Sequence, residues 1–158
     1  MKTLGIDETI LVRAAPSRVL AAFFDARALA AWWQVVRSVT SPRPLGIYVV
    51  EWEPTSGRDD LLGPLGGIFY GRIVDYRAGR EFFVADAWWL PPETDPLGPM
   101  GLHVICTPEG RGCRVRVKQQ GGDDAPRWQR YYDLIGGGWS SALESLRQYM
   151  ETGAGLGR

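Results

Sequence analysis

The chain has 158 residues, 45% of them apolar and 23% charged, a size and composition suited to one globular domain with a sizeable core. Eighteen basic and eighteen acidic side chains cancel to a net charge of zero, which excludes nucleic-acid or anionic-membrane binding driven by bulk charge. No apolar run approaches the roughly 18 residues that span a bilayer, and the N-terminus turns acidic at Asp7-Glu8 without an apolar signal segment, so no membrane span and a cytoplasmic location are expected.

Thr9–Arg13 is rich in β-branched residues and predicts a strand. Pro16 suits the first turn of a helix, where its missing N–H goes unmissed, and Val19, Leu20, Phe23 and Phe24 form that helix's apolar stripe. Asp25 reads as the cap of a second short helix carrying Leu29, Trp32 and Trp33. From there short β-rich segments alternate with glycine and proline. Strands are predicted at 36–40, 46–53, 67–76, 81–90, 100–107 and 114–120, joined as an antiparallel meander. Two longer linkers, Pro54–Gly66 and Pro91–Pro99, contain prolines that cannot donate to a ladder, and the second is placed as a lid over a cavity mouth.

The last element is the clearest. Trp128, Tyr132, Ile135, Trp139, Leu143, Leu146 and Met150 are spaced 4, 3, 4, 4, 3, 4, an apolar helical stripe within Pro126–Glu151. Such a stripe must be buried, and the only surface large enough is the inner face of the sheet. The expected fold class is therefore α+β: a curved antiparallel sheet of about seven strands, two short helices and a long C-terminal helix gripped by the sheet, with a cavity where their side chains do not meet. One domain is expected over 1–152, with 153–158 a flexible tail.

The order of elements, the opening strand and Ala15-Pro16 helix with Val19, the Trp32-Trp33 pair, and the closing Gly138-Trp139 followed by Leu143 and Leu146 together resemble the START-like (SRPBCC) superfamily. The branch it resembles is that of the activator of the Hsp90 ATPase (AHSA1-like), over about Glu8 to Glu151. The resemblance implies a helix-grip fold with a hydrophobic cavity between sheet and C-terminal helix, and it imports no catalytic site. Members bind lipids, sterols or polyketides, and some are cyclases. It implies binding of a small apolar molecule, with a polyketide cyclase or hydrolyase, or an Hsp90 co-chaperone-like interaction module, as alternatives. The partner is a small apolar molecule, and a homodimer is compatible with the reading.

Residue by residue, the chemistry stays open. His103, the only histidine, is either a general base in the pocket or a structural, solvent-facing residue on a strand. Asp86 shares a predicted face with Phe82, Val84 and Trp88, so it is either a desolvated carboxylate or one on the outer face in water. Glu51 and Glu53 flank Trp52 and mark either paired carboxylates or a solvated face, and Arg114, Arg116 and Lys118 alternate outward against Val115 and Val117. No cluster has metal-ligand spacing, and no cofactor is expected.

Trp33, Phe69, Tyr70, Trp88, Trp89, Tyr132 and Trp139 are candidate pocket walls, and Tyr132 and the indoles are placed to orient a ligand carbonyl or hydroxyl. The ligand-binding set is Trp33, Phe69, Asp86, Trp88, His103, Tyr132, Ile135 and Trp139. Gly136-Gly137-Gly138 interrupts the long helix with residues that each cost roughly 0.5–1 kcal/mol relative to alanine. Either the helix bends there, or a bulky neighbour such as Trp88 or Phe69, or a ligand, approaches its backbone. Finally, a two-residue turn at Glu109-Gly110 makes Cys106 and Cys113 directly opposed neighbours, close enough for a disulfide though a bond is not required.

Overall fold

Val115, Val117 and Gln119 on one strand, and Leu102, Val104 and Cys106 on its neighbour, are all buried, while the residues between them reach the surface or half-exposure. That period of two is the signature of a sheet with one face covered. The computed structural model describes residues 4–153. In chain order the elements are β1 (Gly5–Val12), α1 (Pro16–Ala21), α2 (Ala26–Trp33), β2 (Arg37–Thr40), β3 (Ile47–Trp52), β4 (Arg58–Asp59), β5 (Gly63–Pro64), β6 (Gly67–Arg77), β7 (Glu81–Leu90), β8 (Leu97–Glu109), β9 (Gly112–Gly121) and α3 (Pro126–Thr152). Seven strands form one antiparallel sheet in the order β1-β9-β8-β7-β6-β3-β2, and β4 and β5 form a separate pair.

The sheet curves around α3, whose Trp128, Tyr132, Trp139, Leu143 and Leu146 are buried and whose Ile135 is half-buried. The helix-grip expectation therefore holds. The α1–α2 segment closes one end. Asp25 caps α2 by accepting the Ala28 N–H at 2.9 Å, and the Tyr48 hydroxyl donates to the Phe23 carbonyl at 2.8 Å. Phe23 sits edge-on to Trp32 and Phe82, so this end is solid aromatic core.

Several local expectations need correction. Strand β1 starts at Gly5 rather than Thr9, because β9 is long enough to pair with it back to Gly5↔Gln120. The first helix ends at Ala21, and Phe23 and Phe24 lie in the turn after it. The linker 54–66 contains the β4–β5 pair, and β8 begins at Leu97, through Pro99. A three-residue step on β8, from Leu97 to Met100, faces the two-residue step from Trp89 to Ala87 on β7. Pro99 thus lies in a bulge, where its missing N–H breaks no ladder bond. The glycine triplet does not break α3, which runs uninterrupted through it, and an added Cβ at Gly137 or Gly138 meets nothing within 4 Å. Trp88 packs instead on Gly98, where a Cβ would come within 2.4 Å of its ring.

The turn joining β8 and β9 is Gly110-Arg111, one residue later than expected, with Gly110 supplying a φ of 58°. That slip places Cys106 opposite Val115 and Cys113 opposite Pro108, so the cysteines are diagonal rather than direct neighbours. Both are buried and free. Each thiol shifts the other: Cys113 together with burial pushes the Cys106 thiol up, and Cys106 holds Cys113 down. The predicted tail lies outside the described residues except for Gly153, which ends α3 in the left-handed conformation at a φ of 78°.

Candidate functional site

Between the inner face of the sheet and α3 lies a partly open cavity of about 240 Å³. This exceeds the ~150 Å³ apolar cavity that accepts benzene. The floor is sheet: Phe69 from β6, Trp89 from β7, Leu102 from β8 and Gln119 from β9. The roof is one face of α3, with Tyr131, Ile135 and Trp139 projecting from successive turns. Trp33 at the end of α2 and Trp52 at the end of β3 close one side. Leu62 and Leu65, from the loop that carries β4 and β5, complete the wall. Trp33 is fixed by its neighbours: its ring lies 4.9 Å from Trp139 and 5.1 Å from Trp52, and its carbonyl accepts the Trp52 indole N–H at 2.9 Å.

Four of the eight residues expected at the ligand line this space: Trp33, Phe69, Ile135 and Trp139. Trp88, Asp86, His103 and Tyr132 do not. For the first two, one residue decides the matter. Asp86 adopts a φ of 51°, and between Val84 and Ala87 strand β7 holds one residue more than β8 does. This bulge reverses the alternation of β7. Phe82 and Val84 face inward before it, and Ala87 and Trp89 after it. Trp88 is turned outward and donates its indole N–H to the Asp86 carboxylate at 3.2 Å. Tyr70, directly across from Trp88, is 38% exposed and also off the cavity.

His103 lies on the outer face, with its Nε2 2.8 Å from Glu81 Oε1 and its ring edge-on to Phe83. Tyr132 is turned away along α3, stacked on Trp128 at 6.0 Å, and its buried hydroxyl has no hydrogen-bond partner among the described residues. Glu51 is held in a bidentate pair by Arg37, at 3.0 and 2.8 Å, and Arg116 grips Asp7 in the same way, so both stripes are outer-face chemistry.

Two polar residues of the cavity were not anticipated, Gln119 and Tyr131. Gln119 is only 2% exposed. Its amide oxygen accepts the Trp139 indole N–H at 2.9 Å, and its amide nitrogen lies 2.8 Å from the Tyr131 hydroxyl and 3.1 Å from Met100 Sδ. Burial pushes the Tyr131 phenol above its ordinary range, so it stays protonated. A signal for Gln119 exists in the sequence: if Arg114, Arg116 and Lys118 point out, Val115, Val117 and Gln119 must point in.

The loop over the cavity is 54–66 rather than 91–99, though the two are joined. Thr94 donates to the Leu62 carbonyl at 2.9 Å, and Arg58 pairs with Glu93 at 2.8 Å. Asp59 accepts from Arg130 of α3 at 2.7 Å and from the Leu61 and Leu62 N–H groups at 3.1 Å. These bonds hold the Asp59 carboxyl below its usual range, the Arg130 bond most of all. The loop is thereby latched to the roof of the cavity.

Among the described residues no group of three or more His, Cys, Asp or Glu side chains could hold a metal, and no helix is long and apolar enough to cross a membrane. No curated protein matches the chain. A family description does: that of the activator of Hsp90 ATPase homolog 1-like proteins, over residues 13–151. Among solved structures, a Mesorhizobium loti protein is 16% identical with a TM-score of 0.69, covering 93% of this chain and 96% of its own. The Aha1 dimer of Colwellia psychrerythraea is 14% identical with a TM-score of 0.66, covering 96% and 99%. DynU16, from the dynemicin biosynthetic locus, is 15% identical with a TM-score of 0.68, covering 98% of this chain and 49% of its own. At these identities the likeness is one of fold.

Proposed function

We propose that this chain, which belongs to the family of activator of Hsp90 ATPase homolog 1-like proteins, binds a small apolar molecule in the cavity between its sheet and α3. One observation carries the reading: the space beside Trp139 is walled almost wholly by aromatic and aliphatic side chains, and it is left unfilled where a well-packed core would close it. The family's fold commonly binds hydrophobic ligands, which supports the same reading. The cyclase or hydrolyase alternative needed Asp86 or His103 to face inward, and both lie on the far side of the sheet. A homodimer in the cytoplasm belongs to the proposal as well. It finds support in the dimer of the Colwellia psychrerythraea relative.

The test is native mass spectrometry of the protein purified from its own cells, followed by titration with the uncharged fluorophore N-phenyl-1-naphthylamine. A retained small molecule, or saturable uptake of the fluorophore, is expected. A protein that carries nothing and takes up no fluorophore overturns the proposal.

A further inference from the structure

We infer that the cavity selects an uncharged molecule bearing a hydrogen-bond acceptor, such as a ketone or ester carbonyl, and that Tyr131 is the residue that recognises it. The inference deepens the ligand-binding reading above and rests on it.

One donor at the site has no choice of role. An indole N–H can only donate, so the Gln119 atom 2.9 Å from Trp139 Nε1 must be the amide oxygen. That fixes the other end of the amide as NH2, directed at the Tyr131 oxygen at 2.8 Å. Tyr131 must therefore accept, and its own hydroxyl proton remains to be donated. Among the described residues no acceptor receives it.

Among the side-chain donors of the wall, this hydroxyl and the indole N–H of the half-buried Trp33 are the two that donate to no described residue, and the hydroxyl is the one on a buried residue. The Trp52 indole N–H is bonded to the Trp33 carbonyl, that of Trp89 to the Gly66 carbonyl, and that of Trp139 to Gln119. Among the described residues no Asp, Glu, Lys or Arg lines the cavity. A charged ligand group would enter without a counter-ion, which an apolar wall penalises heavily. A pure hydrocarbon would displace water from the Tyr131 hydroxyl and leave it unpaired. A carbonyl avoids both penalties. The donor is also pre-oriented: the Tyr131 ring is stacked on Trp89 at 5.2 Å, edge-on to Tyr132 at 5.3 Å, and 5% exposed.

The experiment measures dissociation constants for two matched pairs, 1-indanone against indane and 1-tetralone against tetralin, by quenching of tryptophan fluorescence, in wild type and in Tyr131→Phe. Wild type is expected to bind each ketone at least as tightly as its hydrocarbon, although the ketone is the better hydrated of the two. In Tyr131→Phe the ketone-to-hydrocarbon affinity ratio should fall about tenfold while hydrocarbon binding is kept, the size of one hydrogen bond. An unchanged ratio overturns the role of Tyr131 and leaves the cavity reading standing. Failure of all four probes to bind wild type overturns both. Should the variant not fold, wild type decides alone, and hydrocarbons bound tighter than their ketones overturn the inference.

Discussion

The amide oxygen of Gln119 on β9 accepts the indole N–H of Trp139 on α3 at 2.9 Å, a buried bond between the floor of the cavity and its roof. Its other end is bonded to Tyr131, one helical face along. Two groups of the roof depend on one side chain of the floor. Replacing Gln119 with leucine keeps the volume and removes both partners, stranding the Trp139 N–H. Each stranded buried group costs about 1–3 kcal/mol. Gln119→Leu should lower unfolding free energy by about 2–4 kcal/mol in a urea titration, and a loss below 0.5 kcal/mol would show that the bonds contribute nothing net.

The glycine triplet is predicted to be removable in one place and not in another. Gly137 is exposed, and an added Cβ there meets nothing within 4 Å, so Gly137→Ala should raise stability by about 0.5–1 kcal/mol with ligand binding unchanged. Gly138 lines the cavity and also has open space around an added Cβ. Gly138→Leu should therefore fold, with a thermal midpoint no lower than that of wild type, and bind N-phenyl-1-naphthylamine at least tenfold more weakly. Equal binding by both variants would place the occupied volume elsewhere.

Tyr132 and Tyr48 make a matched pair. Both hydroxyls are buried, but Tyr48 donates to the Phe23 carbonyl at 2.8 Å and Tyr132 bonds to none of the described residues. Tyr48→Phe leaves an orphaned carbonyl and should cost about 1–3 kcal/mol, whereas Tyr132→Phe deletes an unsatisfied group and should be neutral or stabilising by up to about 1 kcal/mol. Thermal or urea unfolding separates the two. A destabilising Tyr132→Phe would mean that its hydroxyl has a partner, ligand or water, in solution.

The latch on the cavity loop carries a pH signature. Asp59 has its carboxyl held below the ordinary value of about 4, first by the Arg130 bond and then by the Leu61 and Leu62 N–H groups. A carboxylate depressed in the folded state adds stability that is complete above the unfolded pKa and is lost as pH falls through the folded one. Asp59→Asn should thus be less stable than wild type at pH 6. The gap should close as the pH falls below about 4. Comparison with the variant isolates Asp59 from Asp7, Glu51 and Glu144, which are also held low by arginine partners. A gap independent of pH would assign the effect to shape rather than charge.

Much of this site follows from periodicity. The seven-residue stripe from Trp128 to Met150 requires a buried helix, and alternating cations on β9 require Val115, Val117 and Gln119 to face inward, whichever fold receives them. Trp33, Phe69, Ile135 and Trp139 were legible for that reason: each lies on a stretch whose period is locally unbroken. What the tertiary structure alone decided lies where the period breaks. At Asp86 one extra residue in β7 exchanges the faces of Trp88 and Trp89, sending one to solvent and the other into the cavity. Nothing local distinguishes that residue, because a bulge is set by how two neighbouring strands pair. Tyr131 and Tyr132 posed the same difficulty on the helix: both fall within the apolar arc of α3. Only the position of Gln119 across the gap selects which hydroxyl has company, since a buried polar group is placed by its partner and partners from distant segments meet only in the folded chain.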